Sequence, residues 1–253
     1  MSVGMSVLLA AELVFRADGT PYSPLHDDVY HSPAGALAQT RHVFLKGNGL
    51  PDAWRLKPAF TVLETGFGMG INFLATWAAW RSDIERSAAL EFVSIEKYPF
   101  SADDLRRAHA AVIDDPYVMP LALQLADAWP PLVPGIHRLS FDSDAVGLTL
   151  IFGDIADALA SLRAQAFIAD SLYLDGFAPA RNPDMWTPSV MASLAALSSN
   201  ETTFATYTSA GSVKRALREN GFEFRKVAGF SGKWAMLTGK RATSPIETNC
   251  VID

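Results

Sequence analysis

The sequence predicts an α/β fold of the Rossmann-like, doubly wound class, with a mostly parallel seven-stranded sheet and helices on both faces. From residue 60 onward, short β-rich runs alternate with helix-like stretches, the pattern of parallel strands joined by crossover helices. A glycine-rich turn at residues 64–70 links the first of these strands directly to a helix. Near the carboxyl end, two β-rich runs are separated only by a glycine-containing turn, so we expect an antiparallel last strand.

Each element follows from this alternation. The predicted strands span residues 60–65, 91–96, 146–152, 172–175, 203–207, 222–227 and 233–237. The predicted helices span residues 71–80, 102–112, 155–163, 191–197 and 213–219. Residues 1–58 carry turn signals instead of this alternation, so we expect them to elaborate the domain formed by residues 59–241. Residues 242–253 are expected to form a polar tail.

Composition narrows the class of protein. The 253 residues are 49% hydrophobic and 19% charged, enough for one large domain with a full core. Charged residues interrupt every long apolar stretch, and the apolar amino terminus lacks a basic leading region and contains Glu12, so we expect a cytoplasmic protein without a membrane helix. The single cysteine, Cys250, excludes an internal disulfide, and the five histidines lack metal-ligand spacing, so no metal is expected.

The charge is unevenly distributed along the chain. The formal net charge of -6 argues weakly against a nucleic acid partner. Residues 211–241, however, include eight basic residues and only two acidic ones. Three of the basic residues, Lys214, Arg215 and Arg218, lie within one predicted helix. This segment is either an RNA-binding patch that faces phosphates or the solvated face of a helix and two strands.

The glycine-rich turn, E-T-G-F-G-M-G-I-N-F at residues 64–73, predicts a cofactor loop that includes Gly66, Gly68, Gly70 and Asn72. The third glycine comes one residue too early for a dinucleotide fingerprint, and the helix start lacks the Gly-Lys-Ser/Thr of a phosphate-binding loop. Glu64, one step before the glycines, suits a cofactor with a cationic amino acid moiety. The turn therefore favours S-adenosylmethionine over NAD or a nucleoside triphosphate.

Two further acids end the next predicted strands and fit the same cofactor. Glu96, with Lys97 beside it, is placed to accept hydrogen bonds from both ribose hydroxyls. Asp154 is placed to accept a hydrogen bond from an adenine amino group. A structural alternative exists for each, since Glu96 can pair with Lys97 at the surface and Asp154 can cap the following helix.

The strand at residues 172–175 ends in Asp175 and continues as a glycine, an aromatic residue and a proline. This loop resembles those of enzymes that methylate exocyclic amines. A protonated amine must lose a proton before it attacks a methyl donor, and Asp175 is the candidate group to orient it and accept that proton. Phe177 and Trp186 are expected to stack on a base or line the methyl pocket, although Trp186 fits a core position equally well.

These segments together resemble one family. The glycine loop, the run L-D-G-F-A-P-A-R-N-P-D-M-W at residues 174–186, and D-V-Y-H-S at residues 28–32 are similar to the methyltransferases that complete 5-methylaminomethyl-2-thiouridine at the tRNA wobble position. The resemblance covers about residues 15–239. The chain departs from the family pattern at Met69, where a small polar residue is usual, and at residues 233–235, where K-W-A replaces K-R-E.

The resemblance implies N-methylation of a 5-aminomethyl uridine by S-adenosylmethionine, with Asp175 at the acceptor amine. It also implies a substrate site formed by Tyr30, Phe177, Pro179, Arg181, Asn182 and Trp186. Some members are fused to a flavin-dependent oxidoreductase that prepares the amine, and we expect this chain to be a stand-alone methyltransferase or one half of such a protein. A small-molecule amine methyltransferase on the same scaffold and a non-catalytic RNA-binding module are the competing interpretations.

Overall fold

The computed structural model describes residues 8–55, 57–232 and 235–242. Along this part of the chain the strands are β1 (Val14–Phe15), β2 (Pro21–Ser23), β3 (Asp28–Val29), β4 (Ala59–Glu64), β5 (Ala89–Glu96), β6 (Gly135–Phe141), β7 (Val146–Phe152), β8 (Ala169–Tyr173), β9 (Ser198–Thr206), β10 (Phe222–Val227) and β11 (Met236–Arg241). The α-helices are α1 (Ala36–Thr40), α2 (Ile71–Ser82), α3 (Ala102–Val112), α4 (Met119–Asp127), α5 (Ile155–Ala164), α6 (Pro188–Ala196) and α7 (Gly211–Glu219).

An eight-stranded sheet organises the described chain, in the order β10-β11-β9-β8-β4-β5-β7-β6. Its five central strands, from β9 to β7, run parallel, so the predicted fold class is confirmed. The predicted count of seven strands is wrong, because β6 adds an antiparallel edge strand beside β7. Only Phe141 of β6 is buried, so that edge strand carries little of the apolar signal by which strands are predicted.

The predicted hairpin is also confirmed, since β10 pairs antiparallel with β11, which in turn pairs antiparallel with β9. The second strand of the hairpin starts at Met236, later than the predicted residue 233. Lys233 and Trp234, and the predicted tail beyond Ala242 with Cys250, lie outside the described residues.

Alternating side chains divide the core into two layers, one on each face of the sheet. Phe60, Val62 and Phe92 point to the layer covered by α2, α3 and α4. Leu63 and Val93, their neighbours along the strands, point to the layer covered by α5, α6 and α7. This two-sided burial is what parallel strands joined by crossover helices require.

The segment before β4 packs onto the first layer. It contains the small antiparallel sheet β1-β2-β3, the helix α1, a π-helical turn at Arg41–Leu45 and 3₁₀ turns at Lys46–Asn48 and Asp52–Trp54. Phe44 stacks on Tyr173 of β8 with ring centroids 5.1 Å apart. Asn48 accepts a hydrogen bond of 2.8 Å from the hydroxyl of Thr203 on β9. These contacts bring the segment across the sheet toward the carboxyl ends of its parallel strands.

Candidate active site

A cavity of about 850 Å³ opens at the carboxyl ends of β4, β5, β7 and β8. Open α/β sheets bind ligands at this edge. The loops that follow the four strands form one side of the cavity, and the segment before β4 forms the other. Predicted site residues that line it are Tyr30, Gly66, Gly68, Asn72, Glu96, Lys97, Asp154, Asp175, Phe177, Arg181 and Asn182.

The glycine loop forms the floor of the cavity next to the first turn of α2. Gly68 has a φ of +53° and Gly70 a φ of +72°, which L side chains rarely adopt. Gly70 does not line the cavity; a Cβ there would meet the ring of Phe67 at 2.6 Å, so its role is to permit the turn. The carbonyl of Met69 accepts a hydrogen bond of 2.7 Å from Nε2 of His109, which ties the loop to α3.

Glu96 lies at the end of β5 with both carboxylate oxygens against the backbone. The N–H of Gly68 donates to Oε2 and the N–H of Tyr98 donates to Oε1, each at 2.8 Å. Burial raises the pKa of Glu96, and these backbone hydrogen bonds oppose the shift. Each carboxylate oxygen keeps a lone pair that can accept a hydrogen bond from a ribose hydroxyl.

The position of Asp154 is compatible with both interpretations that the sequence left open. It caps α5 by accepting from the N–H of Ala156 at 3.0 Å, and it also lines the cavity. Lys97 forms an ion pair with Asp154 at 2.9 Å rather than with Glu96. The Lys97 hydrogen bond lowers the pKa of Asp154. Of the two predicted cofactor acids, Lys97 therefore pairs with Asp154 and not with Glu96.

Glu64 is not among the residues that line the cavity, although the sequence predicted direct contact with the cofactor. It is fully buried behind the glycine loop, where it accepts from Asn72 Nδ2 at 2.7 Å and from Ser94 Oγ at 2.6 Å. Burial, followed by the proximity of Asp175, raises its pKa well above the ordinary value. This placement supports the polar network under the loop instead of a direct ligand contact.

Asp175 follows β8 by two residues and stands at the edge of the cavity. Its Oδ2 accepts from Asn72 Nδ2 at 2.6 Å, and its Oδ1 accepts from the N–H of Gly176 at 2.8 Å. The hydroxyl of Thr65 donates to its carbonyl oxygen at 2.6 Å. A Cβ on Gly66 would lie 3.4 Å from Gly176 Cα, so the Asp175 loop packs directly against the glycine loop.

The loop after Asp175 forms an aromatic wall. Phe177 stacks on His26 with centroids 4.4 Å apart and meets Tyr30 edge-on at 5.1 Å. Burial raises the pKa of Tyr30, which keeps its hydroxyl protonated. Arg181 reaches the cavity and pairs with Asp27 at 2.8 Å.

Two of the predicted substrate residues do not line this cavity. Trp186 is buried in the second core layer, where its Nε1 donates to the carbonyl of Phe177 at 3.0 Å and its ring meets Tyr207 edge-on. The core interpretation of Trp186 is therefore the one that its position supports. Pro179 lies in the turn beyond Phe177, outside the cavity lining.

Apart from Tyr30, sequence reasoning missed the cavity-lining residues that the amino-terminal segment contributes. His26, His31, Gln39 and Thr40 all line the cavity. Thr40 Oγ1 donates to Asn72 Oδ1 at 2.6 Å. No spacing rule connects residues near position 40 to a strand end at position 175, so only the packed chain reveals this wall.

The basic residues of α7 lie outside the cavity. Arg215 and Arg218 are exposed, and Lys214 is half-buried. Within the described residues none of the three forms an ion pair with an acid. The nearby charge of Lys226 lowers the pKa of Lys214, and Arg218 lies 5.3 Å from the ring centroid of Phe224.

Comparisons with known proteins agree with this geometry. A family model described as S-adenosyl-L-methionine-dependent methyltransferase matches residues 117–242. The chain is 58% identical over 235 residues to the tRNA 5-methylaminomethyl-2-thiouridine biosynthesis bifunctional protein MnmC of Paraburkholderia xenovorans, covering 93% of this chain and 35% of that protein. The corresponding MnmC of Paraburkholderia phytofirmans is 60% identical over 232 residues, with 92% and 35% coverage.

The chain thus spans about a third of the length of these curated relatives. Among solved structures, MNMC2 from Aquifex aeolicus aligns with a TM-score of 0.71 over 94% of this chain and 72% of that one, at 21% identity. At that identity the likeness establishes the fold.

The cavity fits S-adenosyl-L-methionine by its own chemistry. The left-handed backbone at Gly68 leaves a surface without side chains, Glu96 presents two acceptor oxygens, and Asp154 stands at the next strand end. The described residues contain no group of three or more His, Cys, Asp or Glu side chains arranged to hold a metal ion. In the same part of the chain, no helix has the length and apolar character needed to cross a membrane. The chain belongs to the family of S-adenosyl-L-methionine-dependent methyltransferases, and S-adenosyl-L-methionine is its cofactor.

Proposed function

We propose that this chain methylates the 5-aminomethyl group of uridine, with or without a 2-thio substituent, at the tRNA wobble position, giving 5-methylaminomethyl-(2-thio)uridine. One observation carries the proposal: the Asp175 carboxylate stands at the cavity edge, in a loop packed against the glycine loop of the cofactor site. The names of the relatives, which span about three times the length of this chain, support the same substrate.

The chemistry assigned to Asp175 follows from what the reaction needs. When bound, S-adenosyl-L-methionine supplies an electrophilic methyl group on a positively charged sulfur. An alkylamine is mostly protonated near neutral pH and has no lone pair for the attack until that proton leaves. Asp175 accepts the proton directly or through one water and orients the nitrogen toward the methyl group. Positioning of the amine supplies most of the rate enhancement, because the displacement requires no strong acid.

The aromatic wall provides a surface for the base that carries the amine. Phe177 and Tyr30 line the cavity beside Asp175, and His26 lies flat against Phe177. Stacking on an aromatic face is worth about 1–3 kcal/mol per base in complexes with single-stranded nucleic acid. A wobble base turned out of its stack can therefore be held here while its aminomethyl group reaches Asp175. Arg181 and Asn182 stand at the same wall and are proposed substrate contacts.

The RNA backbone is assigned to α7. Because β9 is parallel to β8, the carboxyl ends of both strands lie at the edge of the sheet where the cavity opens. Helix α7 begins shortly after the end of β9, at Gly211. Lys214, Arg215 and Arg218 are free of ion pairs within the described chain, so their charges remain available for phosphates.

The experiment is incubation of the protein with labelled methyl donor and bulk tRNA lacking the modification, followed by nucleoside analysis. We expect label in 5-methylaminomethyl-(2-thio)uridine. Asp175→Asn should lower turnover by about 100-fold or more, the effect of losing a general base, while the affinity for S-adenosyl-L-methionine stays within a few-fold. Asp157→Asn, at an exposed carboxylate on α5, serves as the matched control. Full turnover by Asp175→Asn would show that Asp175 takes no part in the mechanism.

The net charge of -6 favours the alternative of a small-molecule amine methyltransferase. That function predicts transfer to free amines and no transfer to tRNA. Measuring tRNA affinity at two salt concentrations separates the two functions, because only phosphate contacts produce a steep salt dependence.

We also propose that a flavin-dependent oxidoreductase, in the same or a separate chain, supplies the primary amine. The word bifunctional in the names of the relatives supports a second activity in those proteins. A cytoplasmic location follows from the proposed tRNA substrate. Addition of such an oxidoreductase to the methylation assay should raise the yield on tRNA that carries the precursor of the amine and leave the yield on aminomethylated tRNA unchanged.

A further inference from the structure

The side-chain amide of Asn72 lies at the centre of a closed set of hydrogen bonds. Its Nδ2 donates to Glu64 Oε1 at 2.7 Å and to Asp175 Oδ2 at 2.6 Å. Its Oδ1 accepts from the hydroxyl of Thr40 at 2.6 Å. An asparagine amide has only two N–H donors, so both are committed to carboxylates and none is left for the cofactor. The sequence interpretation of Asn72 as a cofactor-binding residue therefore gives way to a different role.

Thr40 holds the opposite end of this amide. A carboxylate accepts hydrogen bonds, so the NH₂ end of Asn72 must face Glu64 and Asp175, and its oxygen must face the opposite side. The Thr40 hydroxyl meets that oxygen from α1, in the segment before β4. Thr40 is 3% exposed and Asn72 is 7% exposed, so little water is available to replace either partner.

These contacts fix the one carboxylate assigned to the acceptor amine. Asp175 is held at Oδ2 by Asn72 and at Oδ1 by the N–H of Gly176, which sets the plane of the group. We propose that Thr40 and Asn72 are positioning residues for methyl transfer, which hold the Asp175 carboxylate in the orientation that receives the acceptor amine. This inference rests on the proposed function and assigns it two residues, one of them outside the sheet.

The test replaces the Thr40 hydroxyl without changing its volume. Thr40→Val removes the donor, and Thr40→Ser keeps it. We expect Thr40→Val to lower kcat for tRNA methylation by about ten-fold, the effect of losing one well-placed hydrogen bond, with KM for tRNA and the cofactor Kd within about two-fold. Thr40→Ser should recover most of kcat. Because Thr40→Val leaves the buried Asn72 oxygen without its donor, some loss of thermal stability is expected under either role. A merely structural role predicts in addition that cofactor affinity falls together with kcat, and that result would overturn the proposal.

A double-mutant cycle with Asp175→Asn checks that Thr40 acts through Asp175. Because the positioned carboxylate is absent in that background, adding Thr40→Val should change the residual rate by less than about two-fold. An undiminished ten-fold effect there would contradict the proposal. Should Thr40→Val fail to fold, Thr40→Ala removes the same hydroxyl without forcing an extra methyl group against Asn72, and the same criteria apply.

The outcomes distinguish this inference from the function on which it rests. Absence of methyl transfer by the wild-type protein would overturn both. Transfer by the wild-type protein together with full kcat in a folded Thr40→Val variant would overturn the positioning role alone.

Discussion

The hydroxyl of Tyr207 donates a hydrogen bond of 2.8 Å to the carbonyl of Gly176, which joins the end of β9 to the loop that carries Asp175. Burial raises the pKa of Tyr207 well above its ordinary value, with the charge of Asp175 acting in the same direction. The hydroxyl therefore stays protonated and remains a donor throughout the physiological pH range.

Tyr207→Phe should loosen the substrate loop. The variant keeps the ring against Trp186 and loses the hydrogen bond, a net contribution of about 1 kcal/mol. We expect KM for tRNA to rise about 3- to 10-fold and the cofactor Kd to stay constant, as measured by steady-state kinetics and calorimetry. Tyr117→Phe, at a residue that is 84% exposed, is the control. An unaltered KM in Tyr207→Phe would show that the loop does not depend on this bond.

Glu64→Gln should reduce the loss of folding stability that the wild-type protein undergoes as the pH rises. Burial raises the folded-state pKa of Glu64 above its value in the unfolded chain, so the folded protein binds the proton more tightly. The contribution of this group to stability is complete below the unfolded pKa of about 4.3 and is lost progressively as the pH rises toward the folded pKa.

A glutamine at position 64 does not titrate, so the Tm of Glu64→Gln relative to the wild type should increase between pH 5 and pH 8 in thermal unfolding scans. Glu201→Gln, at an exposed position, should show no such trend. A difference between Glu64→Gln and wild type that is independent of pH would contradict the assigned role of burial.

Charge reversal on α7 should weaken RNA binding selectively. Replacing Lys214, Arg215 and Arg218 by glutamate removes three cations that have no acidic partner in the described chain. We expect tRNA affinity to fall by at least about 100-fold, while cofactor affinity is retained. The slope of log affinity against log salt should decrease by about one unit for every phosphate that the variant no longer neutralises.

The control for that experiment is Arg163→Glu. Arg163 is exposed near the carboxyl end of α5, at the edge of the sheet away from the cavity. Equal losses of tRNA and cofactor binding in the α7 variant would indicate misfolding, and unchanged tRNA binding would leave the basic residues as a solvated surface.

Trp186→Ala should affect stability more than substrate recognition. Because Trp186 is 5% exposed and packs in the second core layer, its truncation should lower the free energy of unfolding by about 3–5 kcal/mol. Phe177→Leu, at the cavity wall, should instead raise KM for tRNA with a small change in Tm. Denaturant unfolding and kinetics on both variants distinguish the roles, and the reverse pattern would return Trp186 to the substrate site.

The fold was predictable wherever local sequence and burial agree. The bounds of α3 match the prediction because Ser101 caps the helix by accepting from the N–H of Asp104, and the apolar residues behind it recur on one face. Helix α4 was missed because Pro120 signals a break, although proline is tolerated within the first turn of a helix. The exposed edge strand β6 was missed because its side chains are mostly solvated.

The strand ends were predictable, but the direction in which each side chain points was not. Glu64 and Glu96 both end parallel strands, yet Glu64 lies under the glycine loop while Glu96 lines the cavity. Trp186 follows Phe177 by nine residues in one loop and turns into the core. These differences depend on packing between distant segments, which the periodicity of a single segment does not contain.

The bond from Thr40 to Asn72 spans 32 positions, and the bond from Asn72 to Asp175 spans 103. During synthesis, α1 and the glycine loop leave the ribosome before β8 is made. Thr40 and Asn72 are therefore present before the carboxylate of Asp175 that Asn72 contacts. A nascent or truncated polypeptide that ends before Asp175 therefore contains Thr40 and Asn72 but lacks the carboxylate that the proposed positioning role requires.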